Sequence, residues 1–127
     1  MKGEDMTVEE IGQVGLTVAD LARAKEFYGD VLGMSFLFEV GTMAFFRCGS
    51  ARLMLGLAEA GQEVSLGGTI LYYRVAGIEG ACEELKGKGI ELLQGAHVVA
   101  KMPDHVLWMA FLRDPDGNVV GLMEEVR

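Results

Sequence analysis

An internal repeat constrains the fold of this chain more than any other feature of its sequence. Residues 16–21 (LTVADL) match residues 73–78 (YRVAGI), and residues 43–47 (MAFFR) match residues 109–113 (MAFLR). The first pair is 57 residues apart and the second is 66 apart, so the second copy carries a short insertion. Two copies of one order of elements predict two related modules.

Hydrophobic periodicity predicts the elements of the first copy. Ile11–Val18 alternates between apolar and polar residues, as a strand does. Asp20 is suited to cap the helix that follows, and Gly33 is suited to end it. The apolar stripe of this helix consists of Leu21, Ala24, Tyr28 and Val31. Three strands are predicted after it, at residues 35–40, 43–47 and 51–57.

The second copy repeats the same order after a glycine-containing linker at 57–68. A strand over 69–75 precedes a helix that begins at Ile78 and ends near Gly89. Three further strands are predicted at 91–102, 106–113 and 119–126, with a tight turn at 114–118. The predicted fold is α+β: two βαβββ modules, at about 9–57 and 69–126, form one domain. Their strands make a curved mixed sheet around a cavity, with the helices on the outer face.

Composition excludes several classes of protein. Half of the 127 residues are hydrophobic, which is enough for a packed core, and 11 basic against 19 acidic residues give a net charge of −8. That charge repels nucleic acid, and no apolar run reaches the roughly 18 residues of a membrane helix. The acidic N-terminus has no signal-peptide pattern, so we expect a cytoplasmic protein whose Cys48 and Cys82 are reduced.

Two segments of the chain resemble the vicinal oxygen chelate superfamily: LARAKEFYGDVLGM at 21–34 and FLRDPDGN at 111–118. This superfamily includes glyoxalases, fosfomycin and bleomycin resistance proteins, extradiol dioxygenases and methylmalonyl-CoA epimerases. The resemblance extends from about Ile11 to Glu125. It implies the doubled βαβββ fold and a ligand site on the sheet face that points away from the helices.

In metal-using members of the superfamily, one divalent ion is held from four positions on the first and last strands of the modules. The resemblance places these positions at Gln13, Met54, Ile70 and Gly121. Only Gln13 has an oxygen donor, and the Met54 thioether is a soft ligand. A catalytic site of this kind needs about three protein ligands, so we expect no metal ion and no other cofactor.

The resemblance and the residues together predict a glyoxalase/bleomycin-resistance-like protein that binds a small molecule without a metal ion, as sequestration proteins do, and that is a homodimer. We expect a binding protein rather than an enzyme, and the sequence assigns no catalytic residue. Arg74 is suited to an anionic ligand, whereas the overall charge favours a cationic one. The predicted ligand-binding residues are Gln13, Met54, Ile70, Tyr72, Arg74, Trp108, Gly121 and Met123.

Two alternatives stay open from the sequence. The first is a metal-dependent lyase, isomerase or dioxygenase of the same superfamily, with one divalent ion held by a rearranged set that includes His97, His105 and Glu125. The second is a structural module whose hollow is filled by its own side chains. The metal content of protein purified without a chelator distinguishes the first alternative from the binding protein. The fluorescence response of Trp108 to added ligands distinguishes the second, because a filled core would not respond.

Overall fold

The computed structural model describes residue 6, residues 9–58 and residues 69–127. In the first module, a short α-helix continues directly into a π-helical segment at Glu26–Val31. The other elements of this module are β1 (Gln13–Val18), α1 (Leu21–Lys25), β2 (Ser35–Val40), β3 (Met43–Cys48) and β4 (Ala51–Leu57).

The second module has the same order of elements, as the repeat predicts. Its elements are β5 (Leu71–Arg74), α2 (Ile78–Gly87), β6 (Leu92–Lys101), β7 (Val106–Arg113) and β8 (Val119–Val126). The bounds of β7 and β8 agree with the periodicity, whereas β5 is shorter than the predicted strand. Most of the predicted linker, at residues 59–68, lies outside the described residues.

The strands form two mixed sheets with the same topology. The strand orders are β1-β4-β3-β2 and β5-β8-β7-β6. In each sheet the first and last strands of the module are parallel neighbours, and the remaining pairs are antiparallel. The predicted mixed sheet is therefore two four-stranded sheets, with β1 and β5 each at the edge of its own sheet.

One buried cluster joins the two modules. Each sheet places one face against its helix, and the buried side chains of both modules pack into a common core. Among those with the least exposure are Val18, Tyr28, Phe46, Leu53, Leu55, Ile78 and Leu112.

The two helices begin in different ways. Asp20 caps α1 as predicted, because its Oδ1 accepts a hydrogen bond of 3.0 Å from the Arg23 backbone. The repeat places Gly77 at the equivalent position, and glycine has no side chain to act as a cap. Glu124, on β8, replaces it by accepting hydrogen bonds from the Gly77 and Ile78 amides at 2.7 and 2.9 Å.

The helix predicted after Asp20 extends to Val31, and its second half is a π-helix. The Leu32 amide donates to the Phe27 carbonyl, five residues back, at 2.9 Å. Both Phe27 and Tyr28 are buried in this wider turn, and their rings meet edge to face with their centroids 5.0 Å apart. The π-helical geometry lets two consecutive aromatic side chains enter the core.

The hairpin turn at 114–118 links the second module to the first. Asp114 organises the turn by accepting hydrogen bonds from the Asp116 and Asn118 amides at 3.0 and 2.8 Å. Asp116 in turn accepts one of 2.8 Å from the Ala19 amide, just before α1. The turn that carries the family resemblance therefore also holds the modules together.

Both cysteines are free thiols, with Cys48 half-buried and Cys82 buried. Burial raises the pKa of the Cys82 thiol. In the part of the chain that the structure describes, no helix has the length and apolar character needed to cross a membrane.

Candidate functional site

Each sheet has a face that points away from its helix, which we call its open face. On β4, Leu53 and Leu55 are buried on the helix side, so Met54 projects from the open face. The strand register continues this row across the first sheet, since paired residues project from the same face. The row consists of Gly15, Met54, Phe45 and Phe38.

The open face of the first sheet is aromatic and sulfur-rich. The Phe38 and Phe45 rings stack with their centroids 4.5 Å apart. Gln13 lies beside Met54, and its Nε2 donates to the Met54 Sδ at 3.7 Å. The structure thus brings together the two site residues that the sequence predicts in this module.

The open face of the second sheet carries an equivalent aromatic row. Strand register aligns Tyr72 with Gly121 and Gly121 with Phe111. The Tyr72 and Phe111 rings meet edge to face with their centroids 5.9 Å apart. A Cβ atom placed on Gly121 would lie only 2.6 Å from Cδ2 of Tyr72, so the tyrosine ring occupies the space that a side chain at position 121 would need.

The next row on this face contains two further predicted residues. Arg74 pairs with Met123, Met123 with Met109, and Met109 with His97. The His97 ring lies 6.4 Å from that of Phe111, and its Nδ1 is 2.7 Å from the Gly95 carbonyl oxygen.

Two predicted residues lie apart from these rows. Trp108 alternates with the buried Ala110 and Leu112 and packs against the core, so the structure places it on the helix side of β7. Ile70 precedes the first residue of β5 and is 40% exposed. Among the described residues, contacts join Gln13 to Met54 and Tyr72 to Gly121, one pair in each sheet.

The four positions that hold a metal ion in the superfamily do not fit one here. The Gln13 amide nitrogen is directed at Met54, while Gly121 has no side chain and is covered by Tyr72. Ile70 has no donor atom. Divalent ions of the kind these sites use require several hard or borderline donors, and this set has one amide oxygen.

The alternative set is divided between two places. His105 interacts with Asp104 at 2.8 Å and with Glu125 at 3.6 Å, whereas His97 faces the aromatic row around Phe111. Arg127 adds a cation, with its Nη1 2.7 Å from Asp104. Hydrogen bonds from Arg127 and His105 lower the pKa of Asp104. Among the described residues, no three His, Cys, Asp or Glu side chains are placed to hold a metal ion.

Cavities lie where the two modules meet. One of about 450 Å³ is bounded by residues of both modules, including Leu32, Cys48, Tyr73 and Leu85. The Tyr73 hydroxyl is buried without a hydrogen-bond partner among the described residues. A smaller cavity of about 220 Å³ is lined by residues of both modules, including Arg52 and Tyr72.

Arg47, Arg52 and Met109 are among the open-face residues that sequence reasoning did not assign. The face of Arg52 was predictable, because it is two residues from Met54 along β4 and so projects from the same face. The faces of Arg47 and Met109 were not predictable, because they follow from the register between strands, which the sequence does not show.

Comparisons with known proteins agree with this architecture. The family model for the glyoxalase/bleomycin resistance protein/dioxygenase superfamily matches residues 10–122. No protein of curated function matches the sequence. Among solved structures, a lactoylglutathione lyase from Agrobacterium tumefaciens is 24% identical with a TM-score of 0.73, covering 93% of this chain and 95% of that one.

Two further structures have the same fold. A virulence protein from Salmonella typhimurium is 23% identical with a TM-score of 0.77, and the match covers 95% of this chain and 100% of that one. A glyoxalase/bleomycin resistance protein/dioxygenase from Nocardioides is 20% identical with a TM-score of 0.75, covering 98% and 88%. At these identities the structures establish a shared fold, and the family model establishes membership. The chain belongs to the glyoxalase/bleomycin resistance protein/dioxygenase superfamily.

Proposed function

We propose that this protein binds a small molecule with an apolar or aromatic body on its open faces, without a metal ion. One observation carries the proposal: where the superfamily holds its metal, Gln13 donates to Met54 and Tyr72 covers Gly121. These contacts replace a coordination sphere with a surface of polarisable and aromatic groups. Binding, rather than chemistry at a metal, is the activity that such a surface supports.

The side chains around these positions support an apolar ligand. Phe38, Phe45 and Met54 are continuous on the first sheet, and Tyr72 and Phe111 form the matching wall on the second. Apolar sites with few polar groups are typical of small-molecule pockets, where the polar groups fix orientation. Gln13 and Arg74 are the polar groups that we assign to this role.

A neutral fluorescent probe, N-phenyl-1-naphthylamine, tests the proposal directly. We expect the protein to bind it after exhaustive dialysis against a chelator, and Met54→Glu to weaken binding at least about tenfold by placing a charge in the apolar row. Met102→Glu, at an exposed position just beyond β6, is the matched control and should bind as the wild type does.

The competing function is a metal-dependent lyase, isomerase or dioxygenase that uses His97, His105 and Glu125. It would be supported by one tightly bound Zn²⁺, Ni²⁺ or Mn²⁺ per chain in equilibrium dialysis, lost in His105→Ala. That result, or probe binding that Met54→Glu leaves unchanged, would contradict the proposed function.

We further propose that the protein is a homodimer. The outer strands of both sheets expose apolar side chains: Phe36 and Val40 on β2, and Leu93 and Val99 on β6. Exposed apolar edge strands favour association unless they are covered. Light scattering should report twice the chain mass, and Val40→Lys with Val99→Lys should lower it. A monomer throughout the micromolar range in the wild type would refute the dimer.

A further inference from the structure

A row of polar side chains crosses the first sheet at one end of its open face. Strand register pairs Gln13 with Arg52, Arg52 with Arg47, and Arg47 with Ser35. Because paired residues project from the same face, an amide, two guanidinium groups and a hydroxyl lie side by side. This polar row directly adjoins the apolar row that contains Met54.

Arg47 and Arg52 are directly opposite one another on antiparallel strands. Like charges in this arrangement destabilise a sheet. Both residues are exposed, and among the ion pairs of the described residues none includes either of them. In a chain with 19 acidic and only 11 basic residues, two adjacent cations that form no ion pair with a described residue favour the approach of an anion.

The surroundings of Arg52 connect this positive charge to the apolar surface. Its Cζ lies 5.5 Å from the centroid of the Phe45 ring, so the guanidinium is held beside the aromatic row. Arg52 also shares the 220 Å³ cavity with Tyr72 of the second sheet. A molecule held by Arg52 would therefore be in reach of aromatic side chains from both sheets.

We infer that the ligand of the open face is an amphipathic organic anion, whose carboxylate, sulfonate or phosphate group is bound by Arg47 and Arg52. Guanidinium groups bind these anions through paired N–H donors, and two of them together neutralise more charge than one. The apolar body of the ligand packs on Met54 and Phe45. The inference rests on the proposed function, since it assigns a ligand class to the same face.

A pair of probes with the same ring systems tests this assignment. 8-Anilinonaphthalene-1-sulfonate is anionic, and N-phenyl-1-naphthylamine is its neutral counterpart. In Arg47→Gln with Arg52→Gln, we expect the anionic probe to bind about tenfold more weakly and the neutral probe to bind within about twofold of wild type. Added NaCl should weaken the binding of the anionic probe to the wild type and should have less effect on its binding to the variant.

The control variant is Arg23→Gln with Lys86→Gln, which removes the same charge from the two helices and should leave both probes unchanged. If both double variants bound the anionic probe equally more weakly than the wild type, the effect would be due to net charge alone, and the inference would be overturned. The inference would also be overturned if the arginine variant bound the anionic probe as tightly as the wild type does. This holds even if the variant has a different mass in light scattering. If the neutral probe fails to respond to Met54→Glu, the proposed function fails instead, so the two failures are distinguishable.

Discussion

The hydroxyl of Tyr28 donates a hydrogen bond of 2.9 Å to Oδ2 of Asp114 and joins the helical segment of the first module to the hairpin of the second. Tyr28 is 1% exposed and Asp114 is 5% exposed, so both groups are largely shielded from solvent. Burial raises the pKa of Tyr28, and the nearby Asp114 carboxylate raises it further. The bond is therefore a neutral phenol donating to a buried carboxylate.

Tyr28→Phe removes this donor and keeps the ring. We expect the free energy of unfolding to fall by about 1.5–3 kcal/mol, the range for a buried hydrogen bond to a charged group. Urea denaturation followed by far-ultraviolet circular dichroism measures the change. Tyr72→Phe, at a half-exposed ring, is the control and should stay close to wild type. Equal stability of Tyr28→Phe and wild type would show that the bond contributes nothing.

Tyr73 provides the opposite case, because its buried hydroxyl has no partner among the described residues. Burial raises the pKa of Tyr73, so the group stays neutral. Tyr73→Phe relieves the desolvation of an unsatisfied hydroxyl, and we expect the free energy of unfolding to rise by up to about 1 kcal/mol. The same urea titration measures it. A loss similar to that of Tyr28→Phe would mean that the hydroxyl is hydrogen-bonded after all.

Glu124 predicts a specific pH dependence of stability. Hydrogen bonds from the Ile78 and Gly77 amides lower its pKa in the folded state. Its contribution is therefore present above the unfolded carboxyl pKa, about 4.3, and is lost as pH falls through the lower folded value. Glu124→Gln should have a lower thermal midpoint than wild type at pH 7.

The difference in thermal midpoint between wild type and Glu124→Gln should then become smaller below about pH 4, as the wild-type carboxylate becomes protonated. Thermal scans between pH 7 and the acid limit of the native state measure it. Glu91→Gln, at an exposed position before β6, serves as the control and should show no comparable gap. A difference at Glu124 that stays constant with pH would exclude the carboxylate cap.

Gly121 and Tyr72 are expected to be energetically coupled. Gly121→Ala places a Cβ atom where the Tyr72 ring now lies, so it should cost about 1–3 kcal/mol of unfolding free energy. In a Tyr72→Ala background the ring is absent, and the same substitution should cost less than about 0.5 kcal/mol. A double-mutant cycle measures the coupling, and equal losses in the two backgrounds would disprove it.

Much of the architecture was predictable from local patterns. The repeat predicted the βαβββ order in both modules, and alternation along the first strand of each module predicted the faces of Gln13 and Tyr72. Met54 was placed by the family resemblance. Asp20 was predictable as a cap because its partner is only three residues away. Trp108 was not assignable in advance, since its strand has large apolar residues on both faces.

The sequence by itself determined the two modules and the faces of the alternating strands, because these follow from neighbouring residues. The family resemblance supplied the four metal positions, and residue chemistry then showed that they have too few donors. Only the tertiary structure decided that Glu124 caps α2, that Tyr72 covers Gly121 and that Arg47 stands opposite Arg52. Those relationships depend on register between strands distant in the chain, and a shift of one residue would turn each side chain to the other face.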